Sequence, residues 1–243
     1  MRKLTAAFGS GLLLLLSFAS PSMGYEEIAV NNGGTIRGWV KISGKVPKLP
    51  PLLITKFKEV CQNVSDESLV VGPGLGVRYA VVTLEGITKG RPLEREAVHE
   101  LDNNQCRFTP HVLAASVGHF LLLRNTDPIL HTAHASFHNG QPDFNVGLYP
   151  GRVSRKPLIS AGIVKILCEV HPWMISYVVV TEHPYHAVTD AYGEYEIRDV
   201  PAGVYQLKVW HESLVAQEKL VDVKAGGVSQ IDFTFSQAPG AKR

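Results

Sequence analysis

Long hydrophobic runs are missing from almost all of this chain. After the apolar stretch from Leu12 to Leu16, no segment approaches the roughly 18 apolar residues that a membrane-spanning helix needs, so no transmembrane anchor is expected. Methionine is scarce: of three, Met1 and Met23 lie within the first 24 positions, which argues against clusters of methionine that gather soft metal ions. Clustered charge is lacking too. The 24 basic residues include Arg2 and Lys3, and the rest balance the 22 acidic ones, so nucleic acid is not an expected partner. There is no C-x-x-C-H for covalent haem, no His-x-His pair, and little apolar periodicity at helical spacing.

What is there begins with a leader. Met1-Arg2-Lys3, the Leu run and Ser22-Met23-Gly24 follow the charged, apolar and small-residue order of a secretory signal peptide. Residues 1–24 are read as that signal, with Tyr25 opening the mature chain in a periplasmic or secreted setting. No Cys lies near the cleavage point, so a lipoprotein anchor is not expected.

Short apolar or alternating runs separated by Gly, Pro, Asn and Asp recur along the rest, which is the pattern of an all-β sandwich protein. Strands are expected over 36–40, 77–84, 120–124, 163–168, 177–181, 195–197, 205–210 and 231–235. The last is the clearest, with Ile231, Phe233 and Phe235 on one face. Lys41 to Pro51 reads as a loop.

The chemistry is concentrated in Cys168-Glu169-Val170-His171-Pro172-Trp173-Met174. A thiolate, an imidazole and a thioether at C-x2-H-x2-M spacing are three donors of a mononuclear blue copper site, which takes two His and one Cys in a plane with a weak axial Met. A strand carrying Val164, Ile166 and Cys168 on one face would deliver the thiolate inward. The missing imidazole should lie upstream. His131 is the leading candidate, after the turn Asn125-Thr126-Asp127-Pro128, with His134 and His138 as alternatives. A Met donor speaks against structural zinc, the absence of His-x-His against a multicopper oxidase cluster, and the single loop Cys against a binuclear copper centre. His134, His138, His183 and His186 are read as scattered loop histidines rather than a second site. With Cys168 in the motif, Cys61 and Cys106 remain as a disulfide pair in an exported protein, or as two free buried thiols.

In its ligand loop the chain resembles the amicyanin family of cupredoxins, which shares C-x-x-H-P-aromatic-M and a first ligand His six residues after a strand-ending Asn, as His131 follows Asn125. The resemblance covers 98–182 and implies a Greek-key β-sandwich holding one copper through His131, Cys168, His171 and Met174. It also implies a ligand-loop His near the surface, with Pro172 and Trp173 in a partner-docking patch; packing beneath the loop is the other reading of Trp173. Thr132 departs from the Asn that cupredoxins often carry there, which puts the usual bonding to the Cys loop in question.

A second resemblance lies in T-D-A-Y-G-E-Y at 189–195 and P-A-G-V-Y-Q-L at 201–207, which look like the signatures of the carboxypeptidase regulatory-like domain, a small β-sandwich. The opening of that family looks like Gly38-Trp39-Val40 and Val82-Thr83-Leu84. The expected organisation is therefore an N-terminal β segment at 25–97, the cupredoxin at 98–182, the regulatory-like segment at 183–236 and a tail at 237–243. Either the cupredoxin is inserted in a split sandwich, or the two follow in tandem. The function expected is one-electron transfer between redox partner proteins rather than catalysis. A copper carrier or store is one alternative. The other is a carbohydrate or surface module using Tyr185, Tyr192 and Trp210.

Overall fold

A computed structural model describes residues 24–236, so the expected leader, apart from Gly24, and the tail lie outside the described residues. Among the described residues there are nineteen strands and one 3-10 turn, and no helix is long and apolar enough to cross a membrane. The all-β expectation holds.

The strands make two sandwiches. In one, a five-stranded sheet runs Pro142–Leu148, His131–Phe137, Gly162–Leu167, Ile175–Thr181, Val112–Ser116. It faces a four-stranded sheet of Val153–Pro157, Phe120–Asn125, Val98–Asn104 and Arg107–Thr109, with Leu101, Phe108, Leu121, Ala135, Ile166 and Val178 between them. The other sandwich draws on both ends of the chain. Val81–Glu85 pairs with His186–Val188 and Gly203–His211, the latter continuing into Leu214–Val223, while Gly34–Ser43 pairs with Glu194–Val200, Val228–Gln230 and Phe233–Ser236. Its core holds Ile36, Val40, Leu84, Leu207, Val209 and Phe233.

Turn chemistry sets these registers. Asp190 Oδ1 accepts the N–H groups of Tyr192 and Glu194, and Gly193 stands at φ 76°, where a side chain would also meet the Val40 carbonyl. Gly38 is needed for close approach, since a Cβ there would lie 1.8 Å from the Ile231 carbonyl oxygen.

Several expectations change. Lys41 to Ser43 belong to a strand rather than a loop, because Phe233–Ser236 extends the parallel pairing to Ser43. Ile231 packs against the core without being in that last strand. The run 77–84 is interrupted by Tyr79 at φ 67°, so its regular strand begins at Val81. The strands at 98–104, 112–116, 142–148, 153–157 and 214–223 lie outside the expected set, and 98–104, 142–148 and 153–157 carry polar residues in place of an apolar pattern. They form because the ladder, not their side chains, satisfies the backbone.

The two sandwiches share a third apolar cluster of Tyr79, Val81, Val112 and Val179, flanked by Tyr177 and Trp210 with ring centroids 5.3 Å apart. This explains why Val81-Val82 and Val178-Val179-Val180 do not alternate: Val82, Val178 and Val180 enter a sandwich core, while Val81 and Val179 face the junction. A contact between His111 Nε2 and the Glu212 carboxylate, with both side chains mostly shielded, also crosses it. Tyr185 is fully buried, its hydroxyl donating to the Asp199 carbonyl and accepting from Arg91 N–H. Tyr185 and Trp210 therefore do not form an exposed aromatic platform with Tyr192.

Beside the junction, His211 is 3% exposed and its Nδ1 accepts the Ser213 N–H. Burial holds the imidazole pKa down at about 4 against the pull of Glu212. The unfolded chain takes up that proton near pH 6.5, so the contribution is complete above that value and is lost as pH falls towards 4. Urea denaturation should find the stability gap between wild type and His211→Gln widest at neutral pH and shrinking by pH 4.5.

Candidate metal centre

Strand periodicity selects the upstream histidine. Along His131–Phe137, His131, Ala133 and Ala135 are buried while His134 lies on the other face, where Nδ1 meets Glu169 Oε1 at 2.9 Å. His138 is exposed. The same strand pairs with Gly162–Leu167, with Leu167 opposite His134, so His131 lies just beyond the strand end where Cys168 begins the loop.

Cys168 Sγ lies 3.8 Å from His131 Nδ1 and 3.6 Å from His171 Nδ1, and all three donors lie within 4.8 Å of one another. Metal–nitrogen bonds of ~2.0 Å and metal–sulfur bonds of ~2.3 Å at a trigonal angle place N and S about 3.7 Å apart. The donor spacing therefore fits one first-row ion. Met174 is buried in the same cluster, and its backbone closes the loop: its N–H donates to the His171 carbonyl and its carbonyl accepts the Cys168 N–H. Cys168, Met174, His131 and His171 are each at most 1% exposed.

Asp127 organises the site. Its Oδ2 contacts His131 Nε2 at 3.0 Å and accepts the Cys106 N–H, while Oδ1 accepts the Gln105 N–H. Nε2 of His131 thus carries the proton, and Nδ1 is left as a donor atom. Burial alone would raise the Asp127 pKa; the bonds from His131, Cys106 and Gln105 outweigh it and hold it below the usual carboxylate value. Burial likewise opposes the Cys168 thiolate, but His131 and the N–H groups of Thr132, His171 and Val170 lower its pKa overall. For His131, burial is overcome by Asp127 and Cys168, which raise its pKa. His171 is pushed down to about 4, chiefly by burial and then by His131, so it is a neutral donor at neutral pH.

Thr132 does what its departure from Asn put in question. Its N–H points at Cys168 Sγ at 3.3 Å and its hydroxyl accepts the Glu169 N–H at 2.7 Å, fastening the first ligand strand to the loop.

The position of His171 is a correction. Its ring is fully buried, not near the surface, because a strap of residues 45–66 lies over it. Phe57 meets the ring edge-on at 5.4 Å, held at φ 50°, a conformation that costs a bulky residue of order 1–2 kcal/mol. The strap is pinned by a disulfide between Cys61 and Cys106. Trp173 is anchored rather than free, with Nε1 donating to the Cys106 carbonyl and the ring 5.2 Å from that of His171, while Pro172 is exposed.

Residues 176–236 match the family model of the carboxypeptidase regulatory-like domain. That regulatory-like match starts inside Ile175–Thr181, a strand of the sandwich that carries the candidate site, and runs through the second sandwich. No curated protein matches the chain. Among solved structures it is similar to cupredoxins. A novel purple cupredoxin from Nitrosopumilus maritimus is 25% identical, over 35% of this chain and 98% of that one, at a TM-score of 0.31. Amicyanin from Paracoccus versutus is 14% identical over 37% and 83%, TM-score 0.31. A copper-containing nitrite reductase from Thermus scotoductus SA-01 is 22% identical over 37% and 23%, TM-score 0.31.

Sequence reasoning missed Asp127, reading it only as part of a turn. Its four-residue spacing before His131 was the available signal.

Two outcomes follow from this geometry. Denatured apo-protein should show one free thiol, and Cys61→Ala with Cys106→Ala should lower stability to urea by up to about 4 kcal/mol, the loop-closure value for a separation of 45 residues. Asp127→Ala should destabilise by about 2–4 kcal/mol by orphaning the buried donors of His131 and Cys106 and releasing the Gln105 N–H. It should also raise the pH at which Cys168 forms its ultraviolet-absorbing thiolate.

Proposed function

We propose that this is an exported type 1 copper protein that carries single electrons between redox partner proteins. The observation behind this reading is the convergence of Cys168 Sγ and the Nδ1 atoms of His131 and His171 in a water-excluded pocket, with Met174 buried in the same apolar cluster as Cys168. Copper fits this donor set because a thiolate and a thioether hold Cu(I) while the imidazoles also suit Cu(II). Bound copper would supply the one-electron couple.

The chain's own residues do the rest. Asp127 and His131 favour the Cys168 thiolate before any metal arrives, Asp127 keeps the His131 ring in the donating tautomer, and burial keeps His171 neutral. Backbone bonds within the loop and from Thr132 hold these positions without reference to oxidation state. Met174 would serve as the weak sulfur donor that tunes potential.

We read residues 98–182 as a cupredoxin unit set between strands of a regulatory-like sandwich, which serves as a scaffold. The leader-like N-terminus and the disulfide favour a periplasmic or secreted location. A copper carrier or store is disfavoured by the shortage of Met, and a carbohydrate module by the burial of Tyr185 and the packing of Trp210.

Copper-loaded mature protein should show a strong visible thiolate-to-copper band that Cys168→Ala abolishes. Met174→Leu should keep the band and raise the reduction potential, and His134→Ala should leave the spectrum unchanged. A colourless protein that binds only Cu(I) would point to the carrier reading.

A further inference from the structure

Every residue proposed to hold the metal is buried, so a partner cannot touch one directly. Among the residues over His171, Phe57 both meets the ring and reaches solvent, at 40% exposure. Trp173, also on that ring, lines a cleft walled by the strap residues Pro47, Leu49 and Leu52.

The strap has two chemically distinct sides. Ile54, Val60 and Val64 pack inward against the core of the metal-bearing sandwich. Leu53, 81% exposed, stands outward with Phe57, and neither exposure stabilises the fold. From 45 to 58 the strap carries Lys45, Lys48, Lys56 and Lys58, all exposed, and no acidic residue until Glu59. None of the four is in an ion pair with a described residue. Glu169, the acidic group of the ligand loop, is engaged by His134 and Asn145.

We propose that the outer face of this strap is the electron port, on which an acidic one-electron carrier seats an apolar patch against Leu53 and Phe57 and its carboxylates against the four lysines. This rests on the copper reading. Bound copper would supply the one-electron couple, and the Phe57–His171 contact would lie between it and the partner. The exchange would oxidise one centre as it reduced the other, with no bond made or broken and no proton moved. The strap, pinned by Cys61–Cys106, takes the docking role that an exposed ligand-loop histidine would otherwise have.

The test has two arms. In the apo-protein, the redox-inert trianion hexacyanocobaltate(III) should shift the backbone amide NMR signals of 45–58 at low ionic strength, and Lys56→Glu with Lys58→Glu should abolish those shifts. In the reduced copper protein, ferricyanide and tris(phenanthroline)cobalt(III) present the same oxidation with opposite charge. At low salt the double variant should slow ferricyanide and speed the cobalt complex by about tenfold each, and high salt should erase both effects. Anion shifts centred away from the strap, rates insensitive to these charges, or self-association through Leu53 in sedimentation would overturn the port. Absence of the blue band would instead overturn the copper reading, and the apo-protein titration would still decide whether the strap receives an acidic partner.

Discussion

The site depends on one buried carboxylate. Asp127 stays charged inside the protein because His131, Cys106 and Gln105 all donate to it, the last two being consecutive residues of one turn more than twenty residues upstream. By satisfying the carboxylate they fix the His131 ring and the chain around Cys106 at the same time. Cys106 then reaches further: its sulfur holds the strap through Cys61, and its carbonyl takes the Trp173 indole of the ligand loop. Three segments distant in sequence are thus referred to a single pair of oxygen atoms, which is why the donors can converge without a metal to draw them together.

The second sandwich contributes rigidity of another kind. It closes only when the strands Gly34–Ser43 and Val81–Glu85 meet partners from residue 186 onward, so the sandwich with the candidate site has both chain ends held at the same junction. Val81 and Val179 make that junction apolar, and the contact between the His111 ring and the Glu212 carboxylate gives it a polar link shielded from most solvent. Losing either member would leave a mostly buried polar group without its partner, at a cost of about 1–3 kcal/mol. The ligand loop hangs from Gly162–Leu167 and Ile175–Thr181, and the face of the second strand that carries Tyr177 and Val179 is the one the junction covers.

Where the sequence was easiest to read, side chain and local geometry agree. Cys168, His171 and Met174 declared themselves by spacing, Val164 and Ile166 gave the face that points inward, and Asp190 with Gly193 marked a hairpin turn. Harder segments were those whose conformation is set by neighbours. Val98–Asn104, with Glu100, Asp102, Asn103 and Asn104, has little apolar pattern, and it is a strand because Phe120–Asn125 and Arg107–Thr109 pair with it. Phe57 gave no signal, since its place depends on a disulfide partner 45 residues further along.

From the residues alone came the all-β class, the C-x2-H-x2-M loop, His131 as the leading upstream candidate and the favoured pairing of Cys61 with Cys106, because each rests on period, spacing or elimination within short reach. Tertiary structure decided that Asp127 supports His131, that Thr132 fastens the ligand strand to the loop, and that the strap buries His171. Those relations join segments far apart in sequence, and the energy that selects them comes from desolvation and buried hydrogen bonds. Neither has a counterpart in local pattern.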